Sequence, residues 1–160
     1  MGRIGFLGEK CRWNHWIALS ESNDHKSLVD KIHSFVNNEP SFSQYKPLLN
    51  QKETYIKNPH RVRASSQADI TFEDLSGEIY ILGEAKTCMY SLEHKSSKEQ
   101  LDKYIGFLSL HRNPHLIYAV PFIQLKMTEF EVNSSIERLS YQFPGADRIA
   151  THFIHDLYDA

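Results

Sequence analysis

Apolar positions along this chain change period several times, and each change predicts an element. Leu28, Val29, Ile32, Phe35 and Val36 follow the i, i+3, i+4, i+7 spacing of one helical face. This predicts an amphipathic helix over residues 24–37, with Asp24 as its cap. The apolar stretch from Trp13 to Leu19 fits no single period. Residues 38–60 contain Pro40, Pro47 and Pro59 and read as irregular; their aromatics Phe42, Tyr45 and Tyr55 either pack on the domain or face a ligand. From residue 62 the pattern becomes strand-like. Ile70 and Phe72 alternate with Asp69, Thr71 and Glu73, and Asp74-Leu75-Ser76-Gly77 is a turn signal. Glu78 to Lys86 alternates again, with Ile79, Ile81, Gly83 and Ala85 on one face and Tyr80, Leu82, Glu84 and Lys86 on the other. Residues 97–110 predict a helix with Leu101, Ile105 and Leu108 as its stripe. Leu116 to Phe122, between Pro114 and Pro121, predicts a buried strand. After Phe143-Pro144-Gly145, the spacing of Ile149, Phe153 and Leu157 predicts a closing helix. The order helix, hairpin, helix, strand, helix is that of a mixed α/β domain with helices packed on a small sheet.

Length and composition narrow this picture. A chain of 160 residues, 41% hydrophobic, suits one domain spanning 1–160 with a packed core. No apolar run approaches the roughly 20 residues needed to cross a bilayer, and the N-terminus lacks a signal-peptide stretch. Cys11 and Cys88 have no metal-type spacing, which fits a cytoplasmic protein with free thiols. The net charge of −2 argues against coating nucleic acid by bulk charge. Its distribution is uneven. Lys46, Lys52, Lys57, Arg61 and Arg63 face only Glu53 in residues 46–63, a local +4, whereas residues 127–160 carry a local −4. Such a chain can present a basic face to a polyanion, or these are ordinary solvated surfaces.

The candidate chemistry lies in the predicted hairpin. Glu84 and Lys86 are two apart on a strand and share a face. A loop centred on Ser76-Gly77 places Asp69 opposite Glu84; a four-residue loop over 74–77 places it opposite Leu82 and diagonal to Glu84. Neighbouring carboxylates repel unless a cation lies between them. Hard oxygen donors with open positions suit Mg²⁺ or Mn²⁺. Such an ion stabilises charge on a phosphate and acidifies a bound water, and a nearby lysine orients or deprotonates that water. The alternative is a solvated strand face with a Glu–Lys pair. Against it, charges end an otherwise apolar strand, and Gly83 and Ala85 leave room for close approach. Gln100 and Tyr104 stand i, i+4 on the following helix and could hold the lysine, a water or a phosphate. Equally, Ser97-x-x-Gln100 could be a capping box and Tyr104 a core aromatic.

Asp69, the triplet Glu84-Ala85-Lys86 and the Gln100-x-x-x-Tyr104 helix resemble the PD-(D/E)XK, or restriction-endonuclease-like, nuclease superfamily. The resemblance covers about Arg61 to Phe122, some two-fifths of the chain. Val62-Arg63-Ala64, Asp69, Glu-x-Lys and the Ser-x-x-Gln helix are similar to its VRR-NUC group. The resemblance implies an αβββαβ core with a mixed sheet flanked by helices, Mg²⁺ (or Mn²⁺) dependence and cleavage of DNA. It implies that Asp69, Glu84 and the Ala85 carbonyl ligate the metal, that Lys86 acts on the attacking water, and that Gln100 and Tyr104 belong to the catalytic set. Ala68 stands where the family usually has proline. For the acid that the family often carries on its first helix, Glu9, Glu21 and Asp30 are candidates. A double-strand cut needs two active sites, which calls for a homodimer or a larger DNA-processing complex.

Other constellations are weaker. Among nine histidines, His152 and His155 fall i, i+3 on the predicted closing helix without a second pair to complete a zinc site. His94 is a loop residue within reach of a substrate. Cys88 reads as structural, and Trp13 and Trp16 as core. The glycines of residues 2–8 lack the preceding strand of a dinucleotide fingerprint. The competing function is a catalytically inactive nuclease-fold module that binds nucleic acid or a protein partner.

Overall fold

The computed structural model describes residues 15–57, 65–87 and 95–159, with side chains at 25–56, 67–87 and 95–159. In chain order the elements are α1 His15–Asn38, β1 Leu48–Lys57, β2 Ser65–Asp74, β3 Tyr80–Ala85, α2 Lys95–Leu108, β4 Pro114–Val120, α3 Leu125–Leu139 and β5 Ala150–His155, with short 3-10 turns between some of them. The strands form one five-stranded sheet in the order β1-β2-β3-β4-β5. β1, β2 and β3 pair antiparallel, and β3, β4 and β5 pair parallel. The fold is therefore α/β, with a mixed sheet between helices. Among the described residues, no helix is long and apolar enough to cross a membrane.

Each face of the sheet carries its own core. On one side α1 buries Leu28, Val29, Ile32 and Val36 against Ile70, Phe72, Ile81, Ala85, Ile117 and Ile154. On the other, Leu101, Tyr104, Ile105 and Leu108 of α2 and Val132 and Leu139 of α3 cover Leu82, Leu116 and Tyr118. Gly83 lets α1 approach: a Cβ there would lie 2.9 Å from the Cγ2 atoms of both Ile32 and Ile70.

Where the periodicity was clear, the prediction and the structure agree. The strand over Ala68–Glu73, its partner ending at Lys86, the helix from residue 97 and the strand from Leu116 correspond to β2, β3, α2 and β4. Four expectations are corrected. Residues 38–60, read as irregular, contain β1, an edge strand whose Asn50, Gln51 and Lys52 are exposed. Residues 125–139, for which no helix was expected, form α3. The predicted closing helix is the strand β5: Ile149 and Phe153, spaced like a helical stripe, instead pack at and along the sheet edge. Asp24, expected as the cap, lies inside α1, which begins at His15. Trp13, Cys11, Cys88, His94 and the glycine-rich residues 2–8 fall outside the described residues.

His152, on β5 rather than on a helix, meets His115 of β4. Their rings stack with centroids 5.2 Å apart, and His115 Nδ1 lies 2.9 Å from His152 Nε2. Phe35 and Phe42 pack around the pair, and Asn113 Oδ1 accepts from His115 Nε2 at 3.1 Å. Burial and then the neighbouring ring push His115 down to about 4, and burial pushes His152 down. Below about pH 6.5 the unfolded chain therefore binds protons that the folded chain refuses, and stability falls with pH until the folded pair titrates. Glu84 and His25, both raised, work in the opposite direction over the same window, so the pair shows in a difference. Between about pH 6.5 and 4 the wild type should lose Tm relative to His115→Gln, as thermal melts of both across that range measure. Gly83→Ala should cost about 1–3 kcal/mol, since two packed isoleucines must shift, as read by urea denaturation.

Candidate active site

The site begins with a register. Ile70 pairs with Gly83 and Thr71 with Leu82, so one step further Asp69 stands beside Glu84. This is the register expected for a turn centred on Ser76-Gly77. Pairing stops at Glu73 and Tyr80, and Asp74 closes the wider loop. Its carboxylate accepts from Ser76 Oγ at 2.7 Å and from the amides of Glu78 at 2.7 Å and Ile79 at 3.1 Å. Gly77 supplies the positive φ of 74° that the turn needs.

Asp69 sits where β1 and β2 change faces. Ala68 and Ile56 belong to the core under α2, whereas Ile70 and Phe72, at the same parity as Ala68, belong to the core under α1. The pairs Lys52↔Ile70 and Thr54↔Ala68 flank the switch, and Glu53, opposite Asp69, has a φ of +55°. A left-handed residue interrupts the regular pleat of β1 at this point, at a cost in strain. Asp69 thereby turns its carboxylate toward the end of β3, where Oδ2 accepts from the Ala85 amide at 2.7 Å.

Glu84 points into the α2 side and is only 4% exposed. Tyr104, fully buried on α2, donates its hydroxyl to Glu84 Oε1 at 2.8 Å. Lys86 Nζ lies 3.2 Å from Glu84 Oε2 and donates to Gln100 Oε1 at 2.7 Å. Burial pushes the Glu84 carboxyl up to about 7; Lys86 opposes this and Asp69 reinforces it. Burial, and then Glu84, raise the Tyr104 hydroxyl well above its ordinary value, so it remains a donor. The five predicted site residues, Asp69, Glu84, Lys86, Gln100 and Tyr104, are thus brought together. Ser97 lies inside α2, which starts at Lys95, so the capping-box reading of Gln100 gives way to its bond with Lys86.

One member of the cluster was not predicted. His25, on α1, places Nε2 3.1 Å from Asp69 Oδ2. The Asp69 carboxylate raises the imidazole above its usual value. A single histidine on a helix carries no spacing signal, so the sequence pattern offered nothing to find it by. Of the candidate first-helix acids, Asp30 is exposed and carries no contact to the site, Glu9 lies outside the described residues, and Glu21 lies in the part of α1 whose side chains are not described.

Among the described residues, no group of three or more His, Cys, Asp and Glu side chains is arranged to hold a metal ion. The donor set present is two carboxylates on adjoining strands, which fits an ion that keeps most of its water, as Mg²⁺ does, better than a cage-seeking Ca²⁺ or Zn²⁺. Asp69 Oδ1 has no partner among the described residues, whereas both Glu84 oxygens are engaged. Comparison with known protein families, with curated proteins and with solved structures gives no match for this chain. Tyr104→Phe removes the buried donor to Glu84 and should destabilise the fold by about 1–3 kcal/mol; urea denaturation of the purified variant measures it.

Proposed function

We propose that this chain is a divalent-metal-dependent DNA nuclease of the PD-(D/E)XK type, hydrolysing phosphodiester bonds as an endonuclease in DNA repair, restriction or phage DNA processing. The observation that carries the reading is the convergence of Asp69, Glu84 and Lys86 at the end of β3, with Gln100 and Tyr104 holding the last two in place. The order α1, β1, β2, β3, α2, β4 supports it, since it is the αβββαβ succession that the resemblance implies.

The residues present would divide the work as follows. Asp69 and Glu84, with the Ala85 carbonyl, would hold Mg²⁺ or Mn²⁺. When bound, the cation supplies charge stabilisation at a phosphate oxygen and acidifies water. Lys86, fixed between Glu84 and Gln100, presents its ammonium to the attacking water or to the phosphate. Tyr104 keeps Glu84 aimed toward Lys86 from inside the core. The Ala85 amide and His25 both engage Oδ2 of Asp69, and Oδ1 keeps no partner among the described residues.

The engagement of both Glu84 oxygens favours a second reading, a nuclease-fold module that binds DNA or a protein partner without cutting. Activity separates the two. Purified protein incubated with branched, single-stranded and linear DNA should cut only with Mg²⁺ or Mn²⁺, and Asp69→Ala or Lys86→Ala should each lower the rate by about 10²-fold or more. Binding without metal-dependent cleavage would select the second reading.

A further inference from the structure

The parallel half of the sheet carries the candidate site toward an exposed aromatic. Glu84 pairs with Tyr118, and Tyr118 with Phe153. Tyr118 lies in the core under α2, and Phe153 packs against that same core. The next row on this face is Lys86, Val120 and His155. Lys86 N donates to Ala119 O, and Val120 pairs with His155. Lys86 and His155 are therefore two strand spacings apart, about 10 Å. At the far end of that row, Phe122 sets its ring edge-on to His155, with centroids 5.1 Å apart.

Phe122 is 52% exposed and its neighbour Ile123 is 73% exposed, yet the backbone beneath them is fixed. Asp156 Oδ1 accepts from Phe122 N at 2.9 Å, and Asp156 N donates to Val120 O at 3.2 Å. A half-exposed aromatic on a hydrogen-bonded backbone, with one ring contact to His155 and level with a candidate phosphate-cutting site, has the make-up of a stacking platform for a base. Charge sets the orientation. The Asp156 carboxylate beside Phe122 repels a phosphate, so the base faces the ring and the phosphates lie back toward Lys86. A distance of about 10 Å corresponds to about three nucleotides at the ~3.4 Å rise of a stacked strand, and to fewer when the strand is extended. Paired bases keep their faces covered; unpaired ones do not.

We infer that Phe122, backed by His155, binds an unpaired base of a single-stranded segment a few nucleotides from the phosphate held at Lys86. This rests on the nuclease reading for its direction, and it names the substrate class as DNA with a single-stranded part. The test is binding of the full chain, in EDTA, to a fluorescein-labelled single-stranded oligonucleotide and to a duplex of the same sequence, followed by anisotropy.

Phe122→Ala should weaken the single strand by about tenfold and the duplex little, while Phe122→Trp keeps the affinity. An abasic residue stepped along the oligonucleotide should abolish the Phe122→Ala effect at one position. No single-strand binding, equal losses on strand and duplex, or an effect indifferent to the abasic residue would each overturn the inference. So would a Phe122→Ala phenotype confined to self-association or to capture of a protein. Because binding is read without metal, a chain that stacks a base but cuts nothing keeps this inference and loses the catalytic reading. A chain that cuts while Phe122→Ala binds unchanged does the reverse.

Discussion

A glutamate that is 4% exposed at the end of a strand needs a physical reason to be there, and most of this structure is arranged around supplying one. An unpartnered buried carboxylate is expensive. Here Tyr104 donates to one oxygen from the middle of α2, and Lys86 places its ammonium against the other. Each partner imposes something further. Tyr104 must be buried completely, which fixes how α2 lies on the sheet. Lys86 must turn back over the strand end, which Gln100 secures from the next turn of the same helix. Even so, burial leaves the Glu84 carboxyl near 7, so the arrangement stabilises the carboxylate only in part. A cation would complete it.

The second carboxylate reaches the same place by a different route. Regular alternation would leave Asp69 on a smooth strand face. Opposite the left-handed Glu53, β1 and β2 exchange faces, with Ala68 buried under α2 and Ile70 under α1. Asp69 stands at the crossing, where it meets the Ala85 amide and His25 of α1. Both layers of helix thereby contribute to one cluster: α2 through Gln100 and Tyr104, α1 through His25. The left-handed backbone of Glu53 is a local cost in strain carried opposite this cluster.

What the sequence disclosed follows from how strongly each element's surroundings mark it. β2, β3, α2 and β4 are central, so burial imposes clean periods on Ile70, Phe72, Ile79, Ile81, Leu101 and Leu116. Four of the five site residues lie on just these elements and Lys86 directly follows β3, so their convergence was legible. The sheet edges were not. β1 exposes Asn50, Gln51 and Lys52 and so shows no apolar alternation. α3 buries Thr128 and Ser135 along with Val132 and Leu139, which blurs its stripe. Ile149 and Phe153 mimic a helical spacing while β5 lies half-buried on an edge. The face switch at Glu53 and the arrival of His25 depend on three-dimensional juxtaposition, which no local period records.

We propose that Asp69 and Glu84 are kept adjacent for a cation rather than for each other. The most direct measurement is a crystal structure of this chain soaked in Mn²⁺, with the anomalous signal mapped. We expect a peak between the two carboxylates, with Lys86 still bonded to Gln100. Carboxylates left in the contacts described above, with no peak between them at Mn²⁺ concentrations that saturate other proteins' two-carboxylate sites, would contradict it.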